Sequence, residues 1–302
     1  MGAAPPAATS TAVSARPWHP LPSLRPAYEC PELRTTQRFV QLGPITMHAV
    51  EAGSGPPLVF MHALGWDHRQ WSHEILRYQD RYRVIAADTC GHGASSKPQG
   101  PYTLDAFADD WQSMLDGLNV ERACLVGFSL GGMIAQHMAL KHPHRVAALV
   151  LVSTVCRFDP DVRAAMEKRI AINREAGAQA AAEAVAKTLF TPEFCESESE
   201  FLSTFYSWRV SQPQRCIIDS IRATFDLDTC AGLSSLTMPC LVVAGSRDAA
   251  TPAAAVALLT GHLAEATLAV VDGAGHLLTI ERPREFANIL DDFLARHYPA
   301  QS

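Results

Sequence analysis

A strand–helix rhythm runs along this chain, stops near Cys156 and resumes near Pro239, and few folds accommodate that pattern. RFVQLG from Arg38 and ITMHAVEAG from Ile45 alternate polar and apolar residues on either side of Gly43-Pro44, as two antiparallel strands do. Continuous apolar runs follow in PLVFMH (57–62), YRVIAAD (82–88), ACLVGF (123–128) and VAALVLVST (146–154). Short runs without alternation suit strands covered on both faces. Helical patterns lie between them at 68–78, 104–118 and 130–141. Over residues 156–236 only helical signals remain: a long Ala-rich stretch with one Gly at 177, then segments around 201–208 and 217–225. PCLVVAG, a helix over 252–262, ATLAVVD and a helix over 282–297 restore the rhythm.

Strands alternating with helices imply an α/β fold, a mostly parallel twisted sheet with helices on both faces. The helical block has no place in such a sheet. It reads as a cap inserted at the carboxyl edge of the strands, where these folds bind ligands. A length of 302 residues allows about two sequential domains. The rhythm instead divides the chain into a flexible extension (1–37), one core made of 38–155 and 237–299, and a cap at 156–236.

Net charge is −6, charged residues make up 19% and apolar ones 48%. That balance excludes a wholly disordered chain and has the wrong sign for a nucleic-acid binder. No apolar run is long enough for a membrane-spanning helix. The N-terminus, rich in Ala, Pro, Ser and Thr, lacks the apolar core of a secretory signal, so the expected compartment is the cytoplasm. The eight cysteines are irregularly spaced with no C-x-x-C pair and read as buried free thiols. No metal-ligand spacing occurs among cysteines and histidines, and no motif calls for a cofactor. Oligomeric state leaves no signature.

Gly127-Phe128-Ser129-Leu130-Gly131-Gly132 joins an expected strand to an expected helix and matches G-x-S-x-G. In that context the serine stands on a sharp turn, and small neighbours let strand and helix approach. The helix N-terminus behind it offers amide N–H groups to a developing anion. A serine needs a base to take its proton. His276, in the Gly-rich loop VDGAGHLL, supplies one, and Asp248, in AGSRDAATP, supplies an acid to orient it. Asp226 and Asp228 are alternative acids. All three expected catalytic residues follow strands at the same sheet edge, in the order Ser–Asp–His. The oxyanion donors expected are the backbone N–H groups of Leu130 and of Leu64, in the loop His62-Ala63-Leu64-Gly65-Trp66. His62, Trp66 and Phe128 are candidate pocket residues, His62 more as a structural hydrogen-bonder than as a catalyst. The small-residue loop 88–96, despite Asp88 and His92, reads as a structural turn.

With HALGWDHRQW, DTCGHGASSKPQGPYTL, GFSLGGMIAQHMAL, GSRDAATP and GAGHLLTIERP in view, the chain from about 38 to 297 resembles the α/β-hydrolase superfamily. Within it the stretch GHGASS…GPYTL and the helix opening GGMIAQ look most like 3-oxoadipate enol-lactonases and haloperoxidase-like serine esterases. The resemblance implies a serine hydrolase of a small ester or lactone, with an acyl-enzyme on Ser129; a C–C bond hydrolase on the same triad is the alternative. A net charge of −6 gives no global steering for an anionic substrate, so cap arginines such as Arg157 or Arg169 would have to capture one.

Overall fold

The computed structural model describes residues 34–300. Eight described strands form one sheet: β1 (Thr35–Leu42), β2 (Ile45–Ala52), β3 (Pro57–Met61), β4 (Arg83–Ala87), β5 (Ala123–Phe128), β6 (Val146–Val152), β7 (Cys240–Gly245) and β8 (Ala266–Val271). Their order is β1-β2-β4-β3-β5-β6-β7-β8. β1 and β2 pair antiparallel, as do β2 and β4, and every later pairing is parallel. Most of the expected extension lies outside the described residues. Its last residues do not: Thr35 and Thr36 already pair with Ala52 and Glu51. The polar–apolar alternation that marks the hairpin starts only after them.

The helices are α1 (Ser72–Tyr78), α2 (Leu104–Gly117), α3 (Leu130–Lys141), α4 (Pro160–Leu189), α5 (Pro192–Ser197), α6 (Ser199–Ser211), α7 (Gln214–Ala223), α8 (Cys230–Leu233), α9 (Ala253–His262), α10 (Leu278–Glu281) and α11 (Pro283–His297). Alternate strand residues feed opposite faces of the sheet. Val59, Met61, Leu125 and Leu149 pack with Trp111 of α2 and Ile134 of α3. Leu58, Phe60, Val126 and Val150 pack with Trp71, Tyr78 of α1 and Leu290 of α11. α2 shows why such a segment is helical. Thr103 caps it by accepting from the Ala106 N–H, and Phe107, Trp111, Met114 and Leu115 recur on its buried face. Burial of each such large side chain is worth about 1.5–3 kcal/mol.

Several elements differ from their sequence expectation. Residues 68–78 are two pieces, a 3₁₀ turn at His68–Trp71 capped by the Asp67 carboxylate and then α1. The Ala-rich stretch breaks at Gly177, whose φ of 85° and ψ of 176° no helix accepts. α5 and α10 are too short for hydrophobic periodicity to reveal them. No helix among the described residues is long and apolar enough to cross a membrane.

Candidate active site

Ser129 connects β5 to α3 with φ 50° and ψ −110°, a backbone state that L-residues rarely occupy. Its N–H donates to Val152 O at 2.9 Å, and its carbonyl accepts the Thr154 hydroxyl at 2.8 Å. The turn closes only because its flanks are glycines. A Cβ on Gly127 would stand 2.5 Å from Gly131 O, and one on Gly131 would stand 2.2 Å from Met61 O and 2.9 Å from His62 O. The start of α3 therefore seats against the end of β3. That contact brings Leu130 beside the 62–66 loop, and Leu64, Ser129 and Leu130 all line one pocket.

His276, beyond β8, lines the same pocket. Its Nδ1 lies 2.9 Å from Asp248 Oδ2 and 3.1 Å from Oδ1. The loop is held from below by Ser153, whose hydroxyl donates to His276 O at 2.9 Å. Phe128 packs edge-on to the imidazole with centroids 5.4 Å apart. Asp248 Oδ1 also accepts the N–H groups of Ala250 and Thr251, each at 2.8 Å, and Oδ2 accepts the Thr251 hydroxyl. Burial pushes the Asp248 carboxyl up, but the adjacent imidazole and the Thr251 hydrogen bonds outweigh it and hold the group below its ordinary value. Asp226 and Asp228 are exposed, and Asp228 accepts from Cys230 N at 3.3 Å.

The pocket lies between the sheet edge and the helical insertion, which contributes Phe158, Met166, Arg169, Leu189 and Thr224. Trp66 lines it too. His62 and Phe128 sit behind it. His62 is fully buried, with Nδ1 2.7 Å from Ala63 O and Nε2 accepting Thr89 N at 2.9 Å, a structural role. Arg157 is exposed where the insertion leaves the core and bridges to Asp228; Phe158 next to it turns inward to the pocket instead. An arginine directly at a chain crossing is fixed by the backbone there, which periodicity does not reveal.

Two guanidinium groups lie above the site without an ion-pair partner among the described residues. Arg169 is half-buried, lines the pocket and donates to Met166 Sδ at 3.2 Å. Burial lowers its pKa to about 10. Arg209 of α6 is buried and donates to Gly65 O at 2.7 Å and Leu64 O at 3.3 Å, so it ties the insertion to the 62–66 loop. Burial, and then repulsion from Arg169, lower it to about 9. Arg209 escaped the sequence reading. Its signal is a lone cation in the aromatic helix segment FLSTFYSWRV.

Asp88 is the hub of a buried cluster below the site. Oδ1 accepts His68 N and Nδ1, both at 2.8 Å, and Oδ2 accepts His48 Nδ1 at 2.9 Å and Ala94 N at 2.8 Å. The nitrogens and carboxylate oxygens of these three residues lie close enough together to be metal ligands. The carboxylate is saturated by donors, however, and the arrangement is that of a structural knot. Burial opposes ionisation of Asp88, but His68 and His48 hold it well below its ordinary value. Burial likewise opposes protonation of His68, and Asp88 more than reverses that, raising the imidazole. The two shifts describe one ion pair. The His68 contribution is present below about pH 6.5 and is lost as pH rises through its raised pKa; the Asp88 contribution is present above about pH 3.9 and is lost on acidification. The melting-temperature difference between the protein and His68→Gln should therefore be largest in that window and shrink towards alkaline pH. A difference that stays constant on alkalinisation contradicts the ion pair.

Fold and pocket together define an α/β hydrolase. Residues 56–283 match the family model described as alpha/beta hydrolase fold, and the chain belongs to that family. It is 31% identical over 241 residues to 3-oxoadipate enol-lactonase 2 of Acinetobacter baylyi, covering 80% of this chain and 89% of the relative. A solved hydrolase from Pseudomonas aeruginosa superposes with a TM-score of 0.80 at 30% identity, covering 85% of this chain and 98% of that one. The enol-lactonase from Burkholderia xenovorans superposes with a TM-score of 0.80 at 27% identity, covering 85% and 99%.

Proposed function

We propose that this enzyme hydrolyses a carboxylic ester or lactone bearing a second acidic group, through an acyl-enzyme on Ser129. The observation that carries the reading is the placement of His276, which faces the pocket beside Ser129 and is tied by Nδ1 to the ionised Asp248. With the Nδ1 proton donated to the carboxylate, Nε2 keeps its lone pair and takes the Ser129 proton as Oγ attacks the acyl carbon. The imidazolium then protonates the leaving oxygen, and Asp248 stabilises its charge. A water, deprotonated by the same His276, attacks the acyl-enzyme and frees Ser129. The N–H groups of Leu64 and Leu130 face the developing oxyanion; losing one such donor costs about 3–4 kcal/mol in the transition state. Arg209 holds the carbonyls of Leu64 and Gly65 and so sets the direction of that loop.

Arg169 supports the acidic substrate. A half-buried guanidinium with no carboxylate beside it is partly desolvated at a cost, and an anion in the pocket offsets that cost. The enol-lactonase names of two relatives point to a lactone as the bond opened. A substrate panel tests both points: an enol-lactone carrying a carboxylate, its methyl ester, neutral p-nitrophenyl esters and a vinylogous diketone. The acidic lactone should give the highest kcat/KM, and diketone cleavage in its place would assign C–C hydrolysis. Arg169→Met should raise KM for the acidic lactone about ten- to a hundredfold, as the loss of a charged hydrogen bond does, and leave neutral esters nearly unchanged. Equal losses on both substrates would remove the anion-binding role.

A further inference from the structure

The helical insertion enters and leaves the core through one narrow neck. Arg157 and Asp228 form an antiparallel bridge there, and Thr229 N donates to Cys156 O at 2.9 Å. Gln136 of α3 braces both sides, donating to Val155 O at 3.0 Å and accepting the Thr229 hydroxyl at 2.6 Å. Inside the neck the Sγ atoms of Cys156 and Cys230 stand 2.6 Å apart, with both residues buried. Both are free thiols, held closer than van der Waals contact, and a disulfide would need them at about 2.05 Å.

We propose that Cys156 and Cys230 are a disulfide-forming pair that staples the neck of the helical insertion. The bond would enclose every residue between them, a separation of 74 positions that includes all the pocket residues the insertion supplies. Closing so long a loop restricts the unfolded chain strongly. A hydroperoxide is the oxidant. The thiolate of Cys230, the less enclosed of the two, attacks the peroxide oxygen; the O–O bond breaks, and the departing alkoxide or hydroxide takes up a proton. The Cys156 sulfur then attacks the sulfenic sulfur, the S–S bond forms, and the hydroxyl leaves as water with the Cys156 proton. Two thiols and one hydroperoxide thus yield one disulfide, one water and one alcohol (or a second water). The staple is separate from the reaction at Ser129.

The test takes the full chain, reduced and desalted, and divides it between an equimolar amount of hydrogen peroxide and a reducing control. Both halves are alkylated under denaturing conditions, digested and mapped. The oxidised sample should contain a peptide pair linked through Cys156 and Cys230, with the other cysteines alkylated, and its melting temperature should exceed the control by at least about 4 °C. Cys230→Ala should abolish that oxidation-dependent rise; the linkage map in the unmutated protein stands even if the variant folds poorly. Alkylation of both cysteines after peroxide, their recovery in other pairings or as sulfinic acids, or a linked peptide without thermal stabilisation overturns the staple.

Discussion

Ser129→Ala should lower the hydrolysis of p-nitrophenyl butyrate at least ~10⁴-fold, because every step of the acyl-enzyme path runs through Oγ. The fold should survive. Alanine keeps the Cβ and therefore the same strained backbone, with φ 50° at the turn. Its melting temperature should stay within about 2 °C of the starting protein. Ser129→Gly separates chemistry from strain. Glycine occupies this backbone region without penalty, so that variant should be equally inactive yet about 1 kcal/mol more stable. A serine held in an unfavourable conformation that raises stability when removed is what a site kept for chemistry should show. Retained turnover in either variant would move the nucleophile elsewhere.

Asp248→Asn should reduce kcat about 10⁴-fold with little change in KM. The carboxylate is surrounded by donors: Ala250 N, Thr251 N, the Thr251 hydroxyl and His276 Nδ1. An asparagine oxygen satisfies only one side of that set. The two backbone N–H groups cannot turn away, so the amide oxygen faces them and the NH₂ faces His276. The imidazole must then present a bare Nδ1 and carry its proton on Nε2, where it blocks acceptance of the Ser129 proton. Near-normal rates in this variant would point to Asp226 or Asp228, although both are exposed. Activity of the unmutated enzyme should fall on acidification, since an imidazolium cannot act as base.

The residues that organise the sheet were legible because strands buried on both faces are short unbroken apolar runs, as ACLVGF and CLVVAG are. The placing of Ser129, Asp248 and His276 at one sheet edge was legible because each follows an apolar run, a buried strand before Ser129 and Asp248 and the exposed edge strand β8 before His276. What the insertion does to the pocket was not. Arg157 and Arg169 look alike in sequence, and only the crossing of the chain at the neck sends the first to solvent while the second lines the pocket. Arg209 meets Leu64 and Gly65 across 144 and more positions, a separation no local pattern encodes. The Ser153 hydroxyl under His276 is hidden for the same reason. Cys156 and Cys230 read as unrelated thiols until the neck brings them together.

An acyl group should rest on Ser129 during turnover. Rapid quenching of the enzyme with a slowly deacylating p-nitrophenyl ester, followed by intact mass measurement and peptide mapping, tests it directly. The mass should rise by the acyl group less one hydrogen, in step with the burst of nitrophenol, and the gain should be confined to the peptide that contains Ser129. Steady turnover with no adduct, or an adduct mapped to another residue, would contradict it.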